Sequence, residues 1–239
     1  YTLWHTLSLH DALPISQGSV INNSVFSNIA NKFSIRLAVN YGAPPVINWT
    51  IGDNKVINAG GFYLRSIEES RITENTIQSA TTDALYVRET VKINITKNAI
   101  NNTGININSF NSEYLKILDN NCTSVKIYGI KIDETDVIID NNNINLSRAS
   151  AIGIYTARDY NPSNIVIDNV DIGLPQLSNT TKIRPLLFNQ EYGGYHDVYV
   201  SNTTTIDGTQ VLSYYGVDNH TLDLAGLKKS MVIDRKSVV

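Results

Sequence analysis

Arginine and tyrosine recur beside short alternating apolar segments, the combination that recognition of an anionic sugar polymer uses. Arg36 follows Phe33-Ser-Ile35, Arg65 follows Phe62-Tyr63-Leu64, and Arg88 follows Leu85-Tyr86-Val87. If these segments are strands lying side by side, the residues between and after the apolar pairs face outward in two columns. On that alignment the first column reads Ser34, Tyr63, Tyr86, Asn106, Lys126, Gly153, and the second Arg36, Arg65, Arg88, Asn108, Tyr128, Tyr155. Planar guanidinium groups bind carboxylate or sulfate through paired hydrogen bonds, while tyrosine rings stack on sugar faces. The expected binding set is therefore Arg36, Tyr63, Arg65, Tyr86, Lys126, Tyr128 and Tyr155. A plain solvated strand face would use the same residue types, because both have apolar bodies that suit a pleated surface.

Acid–base chemistry on such a stripe needs carboxylates beside it. Asp83 and Glu89 flank the Tyr86/Arg88 segment, and Glu113, Asp133 and Asp159 follow Asn108, Tyr128 and Tyr155 at short distance. Aligned residues of neighbouring strands lie about 4.8 Å apart, or about 9.6 Å with one strand skipped. Those values bracket the roughly 5–5.5 Å and 6.5–9.5 Å carboxylate separations of retaining and inverting glycosidases, a test that nearly any aligned pair would meet. A lyase would instead need a base beside a uronate carboxylate that Arg, Lys or calcium neutralises. The expected catalytic set is Asp83, Arg88 and Glu89, with Lys126 an alternative to Arg88. No cofactor is expected, and calcium enters only for a lyase, since the sequence has no calcium-binding repeat and no His/Cys cluster.

The elements that would hold these residues follow from a repeat. Five times an aliphatic residue is followed three positions later by asparagine and then by a small apolar residue. The five are Ile51-x-x-Asn54-x-Val56, Ile72-x-x-Asn75-x-Ile77, Ile95-x-x-Asn98-x-Ile100, Ile117-x-x-Asn120-x-Cys122 and Ile139-x-x-Asn142-x-Ile144, with asparagine spacings of 21, 23, 22 and 22. A fixed period of this size means one unit stacked on copies of itself. Alternation of period two predicts strands, such as Val91-x-Ile93-x-Ile95 and Leu115-x-Ile117 before the asparagine. Phe62-x-Leu64, Leu85-x-Val87, Ile105-x-Ile107 and Val125-x-Ile127 are the expected strands after it. Counting from Val20-Ile-Asn-Asn23-Ser-Val25 to Leu222-x-Leu224 predicts about nine coils of roughly 22 residues. Only Asp207-Gly208 offers a tight hairpin turn, which argues for a parallel stack over a sandwich. The asparagines, aligned at a bend, are expected to form a hydrogen-bonded ladder and to supply the left-handed conformation of that bend. Cys122 shares the column of Val25, Val56, Ile77, Ile100 and Ile144, so it reads as a buried thiol and not a nucleophile.

Composition sets limits on partners. The net charge is −3 and the pI about 5.8, which argues against nucleic acid and anionic membrane as partners. No apolar run reaches the roughly 18 residues of a membrane helix. One cysteine excludes an intrachain disulfide framework. The first 16 residues, YTLWHTLSLHDALPIS, and the last six, Asp234 to Val239, lack the period and resemble translated sequencing-adapter sequence. Residues 17–233 are then the expected native part, a fragment of a metagenomic gene, whose uncapped ends would favour self-association.

The Ile-x-x-Asn-x-Ile repeat resembles the right-handed parallel β-helix of the pectate-lyase-like superfamily. The resemblance covers essentially all of residues 17–233 and implies an all-β, single-stranded right-handed solenoid. It also implies a carbohydrate-active or carbohydrate-binding protein of lyase, glycoside hydrolase or phage tailspike type, acting outside the cell, on a cell surface or on a virion. A tailspike-like protein would be trimeric. The paired aspartates, Gly-His-Gly and Arg-Ile-Lys of polygalacturonases are not found, and Tyr195-His196-Asp197 lacks the flanking glycines. The alternative is a non-catalytic structural or adhesive solenoid of a surface protein or tail fibre.

Overall fold

A computed structural model describes residues 2–3, 7–9, 18–28, 33–39, 44–148, 150–156, 163–175, 184–188, 196–201, 203–207, 209–210, 214–218 and 222–223. Every element among them is a β-strand. The strands stack in parallel, coil upon coil, and three faces enclose a core of aliphatic columns.

The first face lies before each ladder asparagine, in Val20–Asn22, Thr50–Gly52, Arg71–Thr73 and Asn94–Thr96, then the ends of Ile105–Leu118 and Tyr128–Asp140. Its register aligns Ile51, Ile72, Ile95, Ile117, Ile139 and Ile167, each fully buried. The second face follows the asparagine and stacks Val56, Ile77, Ile100, Cys122, Ile144 and Ile172. Burying each such side chain stabilises the fold by roughly 1.5–3 kcal/mol. Cys122 sits in that column as expected, and burial pushes its thiol up to about 12. The residue above Val56 is Phe26, not Val25, because Val25 pairs with Lys55 and turns outward.

The ladder itself is continuous. Asn75 N–H and Nδ2 both donate to Asn98 Oδ1, at 3.0 and 2.9 Å, and Asn98 donates in the same way to Asn120 Oδ1. Each Nδ2 also reaches a carbonyl of the preceding coil, as Asn98 does to Ile72 O at 3.0 Å. The ladder ends where its column changes type: Ser24 N–H donates to Asn54 Oδ1 at 3.1 Å, and Val170 follows Asn142. The left-handed bend is made one residue earlier than the sequence suggested. Asp53, Glu74, Lys97, Asp119 and Asn141 hold φ between 52° and 57°, and no ladder asparagine has positive φ. Placing the strain on the solvated neighbour leaves the asparagine amide free to point into the stack, where its bonds offset the cost.

The third face carries Phe33–Ala38, Gly60–Arg65, Leu85–Arg88, residues 105–110 and 128–133, and Ile152–Thr156. Parallel stacking stops at the far end. Thr209–Gln210, Tyr214–Asp218 and Leu222–Asp223 pair antiparallel with Thr205–Ile206, His196–Val200 and Arg184–Phe188. Leu222 therefore belongs to a returning strand and not to a ninth coil. The turn that starts the return carries Asp207 at φ 50°, at the one hairpin signal in the sequence. At the other end, Thr2–Leu3 and Leu7–Leu9 pair in parallel with Val25–Ser27 and Phe33–Ala38. The tail 234–239 lies outside the described residues.

Candidate functional site

Hydrogen-bond register on the third face assigns the outward columns. The first is Arg36, Tyr63, Tyr86, Asn108, Lys131, Tyr155, and the second Ala38, Arg65, Arg88, Phe110, Asp133. Tyr63 over Tyr86 and Arg65 over Arg88 stand as the sequence alignment had them. Arg36 instead pairs with Tyr63, and Asn108 with Tyr86. Lys126 is outside the stripe: Val125 closes the second-face strand Asn121–Val125, and Lys126 Nζ donates to Asn102 O at 3.3 Å. Ile127, expected inside, is 47% exposed, and Ile130 and Ile132 take the core positions. Tyr128 pairs in register with Ile105 and Ile152, yet its ring stacks on Tyr155 at 4.7 Å and 12°.

The difference has a simple cause. A slip of two residues, as from Asn106 to Asn108 and from Gly153 to Tyr155, keeps every side chain on its own face, so alternation alone cannot reveal it. In the coil of Lys126 the inward pair moves five residues instead, from Val125 and Ile127 to Ile130 and Ile132. Composition does carry the missing signal. Ser34, Gly61, Ala84, Asn106, Gly129 and Gly153 each precede the first inward apolar residue of their strand, and all are buried. They form a column of small residues under tight approach: a Cβ on Gly129 would lie 2.6 Å from Gly153 O. Ser34, Asn106 and Gly153 belong to this column, not to the outward stripe, and aligning on it gives Lys131 and Asp133 their places.

The stripe is half-buried along its length. Tyr63 meets Phe33 at 5.2 Å and Tyr86 at 5.3 Å, the latter edge-to-face at 67°. Arg36 lies over the Tyr63 ring at 5.6 Å, and Arg88 over Phe110 at 4.9 Å. Arg65 Nε donates to Glu89 Oε2 at 2.8 Å, and Arg88 Nε to Glu89 Oε1 at 2.9 Å. Burial pushes the Glu89 carboxyl up, but hydrogen bonds and charge from the two arginines outweigh it and hold it below the usual glutamate value. Glu89 is thus an ionised bridge between two guanidinium groups.

Asp83 has the opposite character. Burial pushes its carboxyl above the ordinary 3.8, against the opposing hydrogen bond from Asn108 and the charge of Lys131. Its Oδ2 accepts from Asn108 Nδ2 at 2.7 Å, while Asn108 Oδ1 is buried without a partner. Tyr86 stands beside it, with its phenol pushed up by burial first and held back by Arg88. A carboxyl with a raised pKa beside a cation and a phenol is the group of this face whose environment suits proton transfer. Asp133 lies 3.9 Å from Lys131 Nζ. Glu113 pairs with Val91 at the edge beyond the third face, and Asp159 lies outside the described residues. Among the described residues no three His, Cys, Asp or Glu side chains come together as a cation site.

A stability prediction follows from Asp83. Because folding raises its pKa, its favourable contribution is complete at low pH and is lost as pH rises through the folded value, above 3.8. Asp83→Asn keeps an acceptor for Asn108 and removes the buried charge, so it should raise Tm at pH 7 and leave it unchanged at pH 3. A lower Tm at pH 7 would contradict the assignment.

Similarity to known proteins adds a family. No curated protein matches the chain by sequence. The solved structure of ORF18 of Geobacillus virus E2 is similar at a TM-score of 0.36 and 11% identity, over 82% of this chain and 52% of that one. The chain thus spans about half the length of that protein. The family described as "Right handed beta helix region" matches residues 42–186, more than half of the 239. With the parallel stack and asparagine ladder, that match means that the chain belongs to the right-handed β-helix family.

Proposed function

We propose that the third face binds an acidic polysaccharide along the column Arg36, Tyr63, Tyr86, Asn108, Lys131, Tyr155. The observation that carries this reading is the flanking of the half-buried Tyr63 and Tyr86 rings by the paired guanidinium groups of Arg65 and Arg88. Rings offer sugar faces a stacking surface, and the arginines offer carboxylate or sulfate a matching charge. If the face is catalytic, Asp83 is the group that donates or removes a proton, as a lyase or hydrolase would require. The chain would then meet its polymer outside the cell, on a cell surface or on a virion.

One observation favours the non-catalytic alternative, an adhesive or tail-fibre solenoid. Glu89 is committed to two arginines and Asp133 lies beside Lys131, so of the three described carboxylates Asp83, Glu89 and Asp133 only Asp83 stands apart from an arginine or lysine ion pair. A hydrolase needs two carboxylates with separate roles.

A panel of polygalacturonate, alginate, chondroitin sulfate and neutral dextran separates these readings. Retention of the acidic polymers only, with loss of at least about tenfold in affinity in the double variant Arg65→Ala/Arg88→Ala, is expected from two lost charge-assisted contacts. New reducing ends or unsaturated-uronate absorbance marks an enzyme. Binding without product marks the adhesive form. Unchanged retention in the double variant would remove the stripe as the site.

A further inference from the structure

We propose that Glu89 is a positioning residue that fixes Arg65 and Arg88 as a preformed two-guanidinium fork, and that this fork sets the preference of the face for carboxylate-bearing ligands. The proposal rests on the acidic-polymer reading for its ligand but not for its geometry.

The fork is built from both sides. Arg65 and Arg88 are register partners on adjacent coils, so their Cα atoms are held at the strand spacing. Each donates its Nε–H to a different oxygen of the same carboxylate, at 2.8 and 2.9 Å. Bonding through Nε orients the guanidinium plane and leaves the terminal amino groups outside that bond. Arg88 is held again by the Phe110 ring beneath it at 4.9 Å. Glu89 reaches both because it occupies the bend after the strand at φ 52°, a left-handed conformation that turns its side chain back across the end of the face. Ser66, Asn111 and Glu134 make the same kind of bend on neighbouring coils, at φ 55°, 46° and 45°. The bend is therefore a feature of the stack, and Glu89 is the side chain placed on it next to two arginines.

What the carboxylate does there is decided by entropy and charge. Two long arginine side chains free on a surface must each lose rotamer freedom when a ligand binds. Glu89 imposes that loss during folding, so a ligand carboxylate meets donors already aimed. Its charge opposes an anionic ligand, but the two guanidinium groups leave the cluster cationic by one unit. A planar carboxylate can take paired N–H donors of one guanidinium in a single plane, and dextran sulfate, whose group is tetrahedral, is the comparison that tests whether this geometry sets the preference.

Two measurements test this on the full chain. The first needs no ligand: 15N NMR of the arginine Nε–H groups. In the wild type, those of Arg65 and Arg88 should be protected from solvent exchange; in Glu89→Ala both should exchange at the rate of a free arginine, and in Glu89→Gln, which keeps one acceptor oxygen, at least one of them should. Unchanged protection overturns the clamp. The second is retention on polygalacturonate and on dextran sulfate at matched ionic strength. Each Glu89 variant should weaken polygalacturonate binding about tenfold, with a smaller effect on dextran sulfate. Tm should stay near wild type, since half-exposed ion pairs contribute little to stability. Equal or tighter polygalacturonate binding would show that Glu89 competes with the ligand, and would overturn the positioning role. If the wild type retains neither polymer, the acidic-polymer reading falls and the exchange measurement alone decides the clamp.

Discussion

Asn98→Ala should lower the unfolding free energy by about 3–5 kcal/mol, because it removes five hydrogen bonds from the buried ladder. Asn98 is 1% exposed. Its Oδ1 accepts from Asn75 N–H and Nδ2 at 3.0 and 2.9 Å. Its Nδ2 donates to Ile72 O, Thr96 O and Asn120 Oδ1 at 3.0, 3.1 and 2.9 Å. Removing the amide takes away all five bonds: Asn75 N–H loses its side-chain acceptor and Ile72 O loses this donor, while Asn75 Nδ2, Thr96 O and Asn120 Oδ1 each lose one of their partners. Asn98→Asp should cost at least as much at neutral pH, since a carboxylate offers no donor to those three oxygens. The position within the ladder provides a control. Asn142 donates to Ile117 O and Asp140 O but has no ladder asparagine after it, so Asn142→Ala should cost less than Asn98→Ala. Equilibrium denaturation of the three variants measures the difference. A loss below about 1 kcal/mol for Asn98→Ala would mean that the ladder is not a main source of stability.

Gly61→Ala should be nearly as damaging, and its damage should reach the site. A Cβ at Gly61 would lie 2.0 Å from Ala84 O and 2.2 Å from Asp83 O, both backbone atoms of the next coil. Backbone cannot rotate away as a flexible side chain can, so the two coils must separate locally. Overpacking of this kind costs about 1–3 kcal/mol and sometimes more. The coil that moves carries Asp83, whose Oδ2 accepts from Asn108, and Tyr86 and Arg88 a few residues on. Gly61→Ala should therefore lower Tm and weaken retention of acidic polymers together. Gly52→Ala makes the comparison, because its Cβ would meet nothing closer than 3.4 Å. It should be nearly silent in both assays. Equal effects from the two substitutions would mean that the close approach at Gly61 is not what constrains the site.

The candidate site was legible in parts. Tyr63, Tyr86, Arg65 and Arg88 could be aligned from sequence because two consecutive coils share the motif aromatic-or-aliphatic, tyrosine, aliphatic, arginine without a bulge. Beyond those coils the connection from the second face to the third varies. Gln78 is followed by a strand at Leu85, Asn101 by one at Ile105, and Leu146 by one at Ile152. Lys131, and the place of Asp133 in the second column, were hidden by that variation, since Val125-x-Ile127 alternates as well as Ile130-x-Ile132 does. Phe110 was missed for the same reason. The role of Glu89 was not readable at all. Nothing in the sequence tells a carboxylate that faces a ligand from one turned back onto two arginines by a left-handed bend.

Sequence by itself determined the stack. The 22-residue period, the inward aliphatic columns, the asparagine ladder and the buried Cys122 all follow from local alternation and from repetition of one residue type at one spacing. Such features are redundant, written once per coil, so errors in one coil are corrected by the others. Tertiary structure decided which outward residues are neighbours, which carboxylate is ionised against arginine and which is buried, and where parallel stacking gives way to the antiparallel return. The physical reason is that in-or-out facing depends on a period of two within a strand, whereas neighbour identity depends on hydrogen-bond register between strands. That register is set by turn lengths, by bends at positive φ and by the close approach of small residues such as Gly61 and Gly129.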